Sequence, residues 1–357
     1  MTASDIVYHR LYNQRIAQRA CETPGQAVAW MGAIQAQDYA SVKWAIGLRC
    51  SGATDSSVEQ AFANRTIVRT WLMRGTLHVV GAPDVRWMLA LAAPRIIASS
   101  ARRYRQLGLD DATFAHSRET LAGTLQGGRQ LTRGEIMLTL EGAGISTEGQ
   151  RGYHILRHLA KEGLICFGPI QGKQQTFVSL DEWVPQTGAL ERDEALAELA
   201  WRHFASHGPA TLQDFVWWSG LLVAEARAGL EMIKPRLRQE TLDDGTYWLP
   251  QDVSIVKDPS PAAYLLPAYD EYFLGYKERS LVLDPKYDKR AVSSNGVFRP
   301  VIVIDGQVVG IWKRTLKKGA VSITPSPFNS LTDAENQALV GAANRYGAFL
   351  GLPVVLE

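Results

Sequence analysis

The chain's 357 residues exceed one average domain, and with 46% hydrophobic and 21% charged residues it can build packed cores and shows no signature of disorder. Its formal charge of +2 hides an asymmetry: residues 1–180 carry 20 Lys and Arg against 13 Asp and Glu, the remainder 18 against 23. No apolar stretch reaches the roughly 18–20 residues of a membrane span, the opening MTASDIVYHRLYNQR has no signal-peptide core, and three scattered cysteines without a CxxC pair suit reduced thiols and exclude zinc fingers.

In chain order, 24–35 and 57–64 read as helices ahead of IVRTWLMRGTLHVV, two strands folding at Arg74-Gly75. Residues 82–125 look helical and carry Arg102, Arg103 and Arg105. QLTRGEIMLTLEGAGI opens on Thr132 with Glu135 three residues on, a capping box. A second helix over 147–163 follows, with Ile155, Leu156 and Leu159 on its apolar face. LICFGPIQGKQQTFVSL then switches to period two, as strands about a Gly-Lys turn. Helix, helix and two-stranded wing spell a winged helix-turn-helix, with Tyr153, His154, Arg157, His158 and Lys161 on its recognition helix. A winged module used for protein contacts or as a spacer has the same pattern.

The pattern recurs as helices at 190–207, 211–220 (capped by Thr211) and 223–240, then a hairpin on Asp244-Gly245. From about residue 262 the text is β-rich: VIVIDGQVVGIWKR is a hairpin on Asp305-Gly306, and a helix over 333–350 closes the domain. The fold class is therefore α+β, tandem winged helix-turn-helix units with a small C-terminal β-rich domain. The expected division is a first winged unit with a helical insertion at 1–128, a second at 129–186, a third at 187–260, and the β-rich domain at 261–357. The last boundary is placed in KDPSPAAY.

No GxGxxG, GxxxxGK[ST], HExxH or GxSxG is present, so Rossmann, P-loop, zincin and α/β-hydrolase chemistry find no support. His154/His158 and His203/His207 have the i,i+4 spacing of a metal pair, but neither has a third ligand at a telling distance, and no metal is expected. The stretch GAIQAQDYAS is more informative. In a helix, Gln35 and Gln37 would point roughly 200° apart; in extended chain they share a face. Either the helix stops near Gln35 and the two amides converge, with Asp38 turned aside, or it continues and Gln35 pairs with Asp38. Glutamines that merely cap the helix end fit the spacing as well.

IQAQD after an N-terminal helix, RTWLMRGTLHVV some thirty residues later, and PAYDEYFLGYKERS towards the C-terminus resemble the AlkZ/YcaQ family of winged-helix DNA glycosylases across essentially the whole chain. Gln35-Ala36-Gln37 is similar to the AlkZ-like branch; the YcaQ-like branch has Asp where Gln37 stands. The resemblance implies a monofunctional glycosylase that removes bulky or crosslinking N7-alkylated purines, in repair or self-resistance, with Gln35 and Gln37 catalytic and no cofactor. Its partner would be double-stranded DNA bearing such purines, met by a cytoplasmic, nucleoid-associated monomer.

A Gln amide holds water but takes no proton at neutral pH, which suits a leaving group that is already cationic. Asp38 would add negative potential or serve only as a helix-end carboxylate, and His78 would face the lesion or pack in the hairpin. Candidate DNA contacts are Arg69, Arg74, Arg102, Arg103, Arg157, Lys173, Lys313 and Arg314. Asp270, Glu271 and Arg279 read as a structural ion network. The competing functions are a non-enzymatic winged-helix DNA-binding protein or regulator and, more weakly, a small-molecule-binding scaffold. A regulator would pair on half-sites, and no heptad seam for a dimer is visible.

Overall fold

The computed structural model describes residues 1–186, 188–253 and 261–357. The chain divides into two compact units, one of Met1–Val58 with Leu196–Glu357 and one of Glu59–Ala195. Residues 257–260 of the KDPSPAAY segment lie outside the described residues. No helix among the described residues is long and apolar enough to cross a membrane.

In the first unit, helix Pro24–Met31 begins at Thr23, whose side chain caps Gln26 N, with Pro24 in the first turn where its missing N–H costs nothing. It stops four residues before the expected end because Gly32 adopts φ +75°, a conformation open to glycine and costly for other residues. Ala33–Gln35 then runs as a short strand, and helix Tyr39–Leu48 follows. Later come helix Arg192–His207, which belongs to this unit from Leu196 on, and helices Leu212–Ser219 and Val223–Ile233. The last is seven residues shorter than expected: Pro235 lies in a 3₁₀ turn, and Leu237–Leu242 pairs with Gly245–Pro250 as a hairpin.

This unit also holds a five-stranded sheet, ordered Val354–Leu356, Ala320–Pro327, Gln307–Lys317, Val301–Ile304, Ala263–Leu266. Its hairpin turns at Asp305 (φ +50°) and Gly306 (φ +82°), the two positive φ values that an Asp-Gly turn provides. Helix Asp333–Leu350 brings Tyr346 and Phe349 onto Trp44, at ring distances of 5.1 and 5.0 Å. The indoles of Trp44 and Trp312 donate to Leu265 O and Leu266 O at 2.7 and 2.8 Å. Strand Ala263–Leu266 is thus fixed just ahead of the PAYDEYFLGY segment.

The second unit contains hairpin Ile67–Trp71/Leu77–Gly81 and two long helices, Val85–Gln106 and Asp111–Leu125. The single helical stretch expected here breaks at Gly108 (φ +61°), after which Asp110 caps the second helix. Arg133–Gly142 starts on the Thr132/Glu135 capping box, Arg151–Lys161 follows, and strands Ile165–Gln171 and Gln174–Ser179 fold back at Gly172-Lys173. Leu121, Leu125, Ile136, Leu140 and Ile155, all fully buried, form the centre of its core.

Candidate active site

Gln35 ends the strand Ala33–Gln35, with Ile34 and Ala36 fully buried on either side; Gln35 is 7% exposed, and Gln37 and Asp38 are exposed. Past the strand the chain bends at Gln37 and Asp38. The preceding helix ends at Met31, ahead of both glutamines. Asp38 is engaged elsewhere: its Oδ1 accepts from Ser41 N at 2.6 Å and caps helix Tyr39–Leu48.

The strand is held from below by Glu271. This fully buried carboxylate accepts from Gln35 N at 2.7 Å through Oε1 and from Trp218 Nε1 at 3.1 Å through Oε2. His207 Nε2 lies 3.7 Å from the same Oε2, and its other ring nitrogen is 2.8 Å from Ser206 Oγ. Burial pushes His207 down from its ordinary pKa, against the pull of Glu271. His203 stacks on His207 at 4.8 Å and is pushed well down by burial. Gly275 lets the chain approach this ring: a Cβ there would meet Glu271 O at 2.6 Å and His207 Cδ2 at 3.0 Å.

Next to Glu271, Asp270 forms a fork with Arg49, Oδ2 to Nη1 at 2.8 Å and Oδ1 to Nη2 at 2.9 Å, with both side chains fully buried. Arg49 also donates to Gln14 Oε1 and Ala45 O at 2.8 Å each. Gln14 Nε2 in turn donates to the Tyr276 hydroxyl, which donates to His207 O. Planar bidentate bonding is the geometry in which a buried ion pair recovers its desolvation cost. Arg279, expected in this network, instead donates to Tyr276 O and sits over Phe298. The missing partner was Arg49, 221 positions away.

The remaining candidates are distributed over both units. In the first, Lys313 is exposed on strand Gln307–Lys317, and Arg314 beside it donates to the Tyr346 hydroxyl. In the second, Arg69 is 4% exposed, bonded to Gln175 and set over Phe167, so its guanidinium is spent inside the unit. His78 is fully buried, with Nδ1 3.1 Å from Thr76 O. Arg74 occupies a turn at φ +56°. Arg157 Nη2 donates to Gly75 O at 2.7 Å, and Arg103 bonds Gln106 and Gln150. Arg102 and Lys173 are exposed, the latter at a hairpin tip.

Helix Arg151–Lys161 departs from the expected outward display. His158 stacks on Phe114 at 3.7 Å, and Lys161 is 2% exposed, donating to the Tyr104 hydroxyl at 3.0 Å. Burial and the nearby Arg157 push Lys161 down to about 8. Among the described residues, no cluster of three His, Cys, Asp or Glu is placed to hold a metal.

Residues 28–349 match the family described as DNA glycosylase AlkZ-like. Among curated proteins, the interstrand DNA cross-link repair glycosylase of Streptomyces sahachiroi is 27% identical over 340 residues, 89% of this chain and 89% of that protein. Among solved structures, Streptomyces sahachiroi DNA glycosylase AlkZ matches with a TM-score of 0.79 at 23% identity, covering 100% of both chains, which shows a shared mixed α/β fold.

Proposed function

Because the chain belongs to the DNA glycosylase AlkZ-like family, and so is a hydrolase of N-glycosyl bonds, we propose that it excises bulky or crosslinking N7-alkylated purines, with Gln35 and Gln37 positioning water at C1′. Membership of an enzyme family removes the non-enzymatic regulator from contention. The observation that carries the reading is the short strand Ala33–Gln35, which ends on the first glutamine and has Gln35 N tied to a buried carboxylate. A surface helix end has no need of such an anchor. The curated relative, by its name a cross-link repair enzyme, supports the same substrate class.

The chemistry follows from what an amide can do. N7-alkylation gives the purine a positive charge, so heterolysis of the C1′–N9 bond sends the electron pair to N9 and the base leaves neutral. The sugar is left oxocarbenium-like, and water adds to C1′ and releases one proton to solvent. A Gln side chain accepts from that water through Oε1 and donates through Nε2, orienting it without removing its proton. Orientation alone supplies a large part of such a barrier when the nucleophile is fixed. No strong base is required, because the leaving group is already activated.

Helix Arg133–Gly142, helix Arg151–Lys161 and the following hairpin are read as a winged helix-turn-helix, and the divisions at 1–128, 129–186, 187–260 and 261–357 as its repeats and the β-rich domain. Arg74, Arg102, Lys173 and Lys313 are then the phosphate contacts. The test is incubation with duplex DNA carrying one defined bulky N7-alkylguanine, scoring free base and abasic sites. Release of the base supports the reading; binding without release from any such lesion overturns it.

A further inference from the structure

The turn 267–270 places an aromatic residue where the backbone favours glycine. Asp270 N donates to Pro267 O at 3.4 Å, and between them Tyr269 has φ +62°. Turn positions with positive φ are ordinarily filled by Gly or Asn, and a bulky side chain there costs about 1–2 kcal/mol. Such strain persists only where neighbours over-determine it. Here the next two residues do so, Asp270 through its fork with Arg49 and Glu271 through its bond to Gln35 N. A glycine would serve the turn better, so the aromatic side chain has another use.

The position says which. Tyr269 is two residues from the carboxylate that holds Gln35, which keeps the two within about 7 Å along the chain. Its ring is half-buried, with Phe298 at 6.4 Å on one side. Burial raises its hydroxyl pKa, and the charge of Asp38, the residue that follows Gln37, adds to the rise.

We propose that Tyr269 is a substrate-contacting residue of the Gln35/Gln37 site, its ring packing on the cationic alkylated base. This rests on the reading of those glutamines as the reacting site. The negative face of a tyrosine ring attracts a cationic base more strongly than it stacks on an ordinary neutral one, which gives preference for the lesion. Once the C1′–N9 bond breaks the base is neutral, the attraction is lost, and product leaves more readily. The ring supplies this, not the hydroxyl.

The experiment compares wild type with Tyr269→Phe, Tyr269→Ala and Tyr269→Gly on duplexes with and without one N7-alkylguanine. Three quantities are measured: single-turnover excision, the ratio of the two binding constants, and thermal midpoint. Phe should keep excision and lesion preference within twofold of wild type. Ala and Gly should lose at least tenfold in excision and most of the binding preference, with affinity for unmodified duplex unchanged. Gly should melt no lower than Ala, because it relieves the turn. Wild-type excision and preference in Ala and Gly, or Phe falling as far as Ala, overturns the inference. If wild type itself excises nothing, the glycosylase site is refuted, and the binding ratio still decides whether Tyr269 reads the lesion.

Discussion

Glu271→Gln changes one oxygen into an NH₂ group and leaves size and shape almost untouched, so its effect isolates the carboxylate. In the native unit one oxygen receives Gln35 N at 2.7 Å and the other Trp218 Nε1 at 3.1 Å, all within a side chain of 0% exposure. The amide has one oxygen to offer. If it stays on Gln35 N, its NH₂ faces the indole N–H, donor against donor; if it turns to the indole, Gln35 N is left unpaired. A hydrogen bond to a charged group contributes about 1.5–3 kcal/mol, and an orphaned buried donor costs about 1–3 kcal/mol. Removal of a buried charge returns part of this through relieved desolvation. The net loss expected is about 2–4 kcal/mol, read from urea unfolding. Excision should fall on the order of 10–100-fold, because a shift of Gln35 by a fraction of an ångström misplaces the water. Affinity for undamaged duplex should not change. A stability loss under about 0.5 kcal/mol, within the usual scatter of surface substitutions, together with wild-type excision would refute the claim that this carboxylate positions the strand.

Three further substitutions have defined outcomes. Burial holds His203 well below its ordinary pKa and His207 below it, so as pH falls below about 6.5 the unfolded chain takes up protons first and stability drops. His203, neither of whose ring nitrogens has a hydrogen-bond partner among the described residues, can be replaced by Phe; His203→Phe should shrink the stability loss between pH 7.5 and 5.5, and an unchanged pH dependence would count against a buried neutral His203. Lys313→Ala should lower the slope of log binding constant against log salt by about one, as loss of a single phosphate contact does. Replacement of Arg69 by Met should leave that slope unaltered, because its guanidinium lies on Gln175 and Phe167; a lowered slope there would place Arg69 on DNA after all.

The elements legible in the sequence were those specified by neighbours in the chain. The Thr132/Glu135 box and the Asp305-Gly306 turn place a helix start and a hairpin without tertiary help. Helix ends were read less well, although the signals were present: Gly32 and Pro235 stop their helices, and the apolar residues beyond them continued the pattern past the stop. The glutamine pair was visible as a motif, and its geometry reduced to whether the helix ended in time. The anchor was not visible. Glu271 meets Gln35 across 236 positions and Asp270 meets Arg49 across 221, pairings with no local signature. A buried backbone N–H bonded to a remote carboxylate leaves only an unexplained acidic pair in the text. The same blindness placed Arg69 and Lys161 at the surface, since a long cationic side chain reads alike whether it meets solvent or an internal partner.

The most direct test of the account is to separate chemistry from binding at the two glutamines. Gln35→Ala and Gln37→Ala are to be assayed in single turnover on a duplex carrying one bulky N7-alkylguanine, with affinity for the same duplex measured in parallel. Each variant should lose at least 100-fold in base release while its affinity stays within about threefold of wild type, the signature of an interaction made only in the transition state. Equal loss of affinity and excision, or variants that excise as wild type does, would show that the pair caps the chain and that the water is held elsewhere.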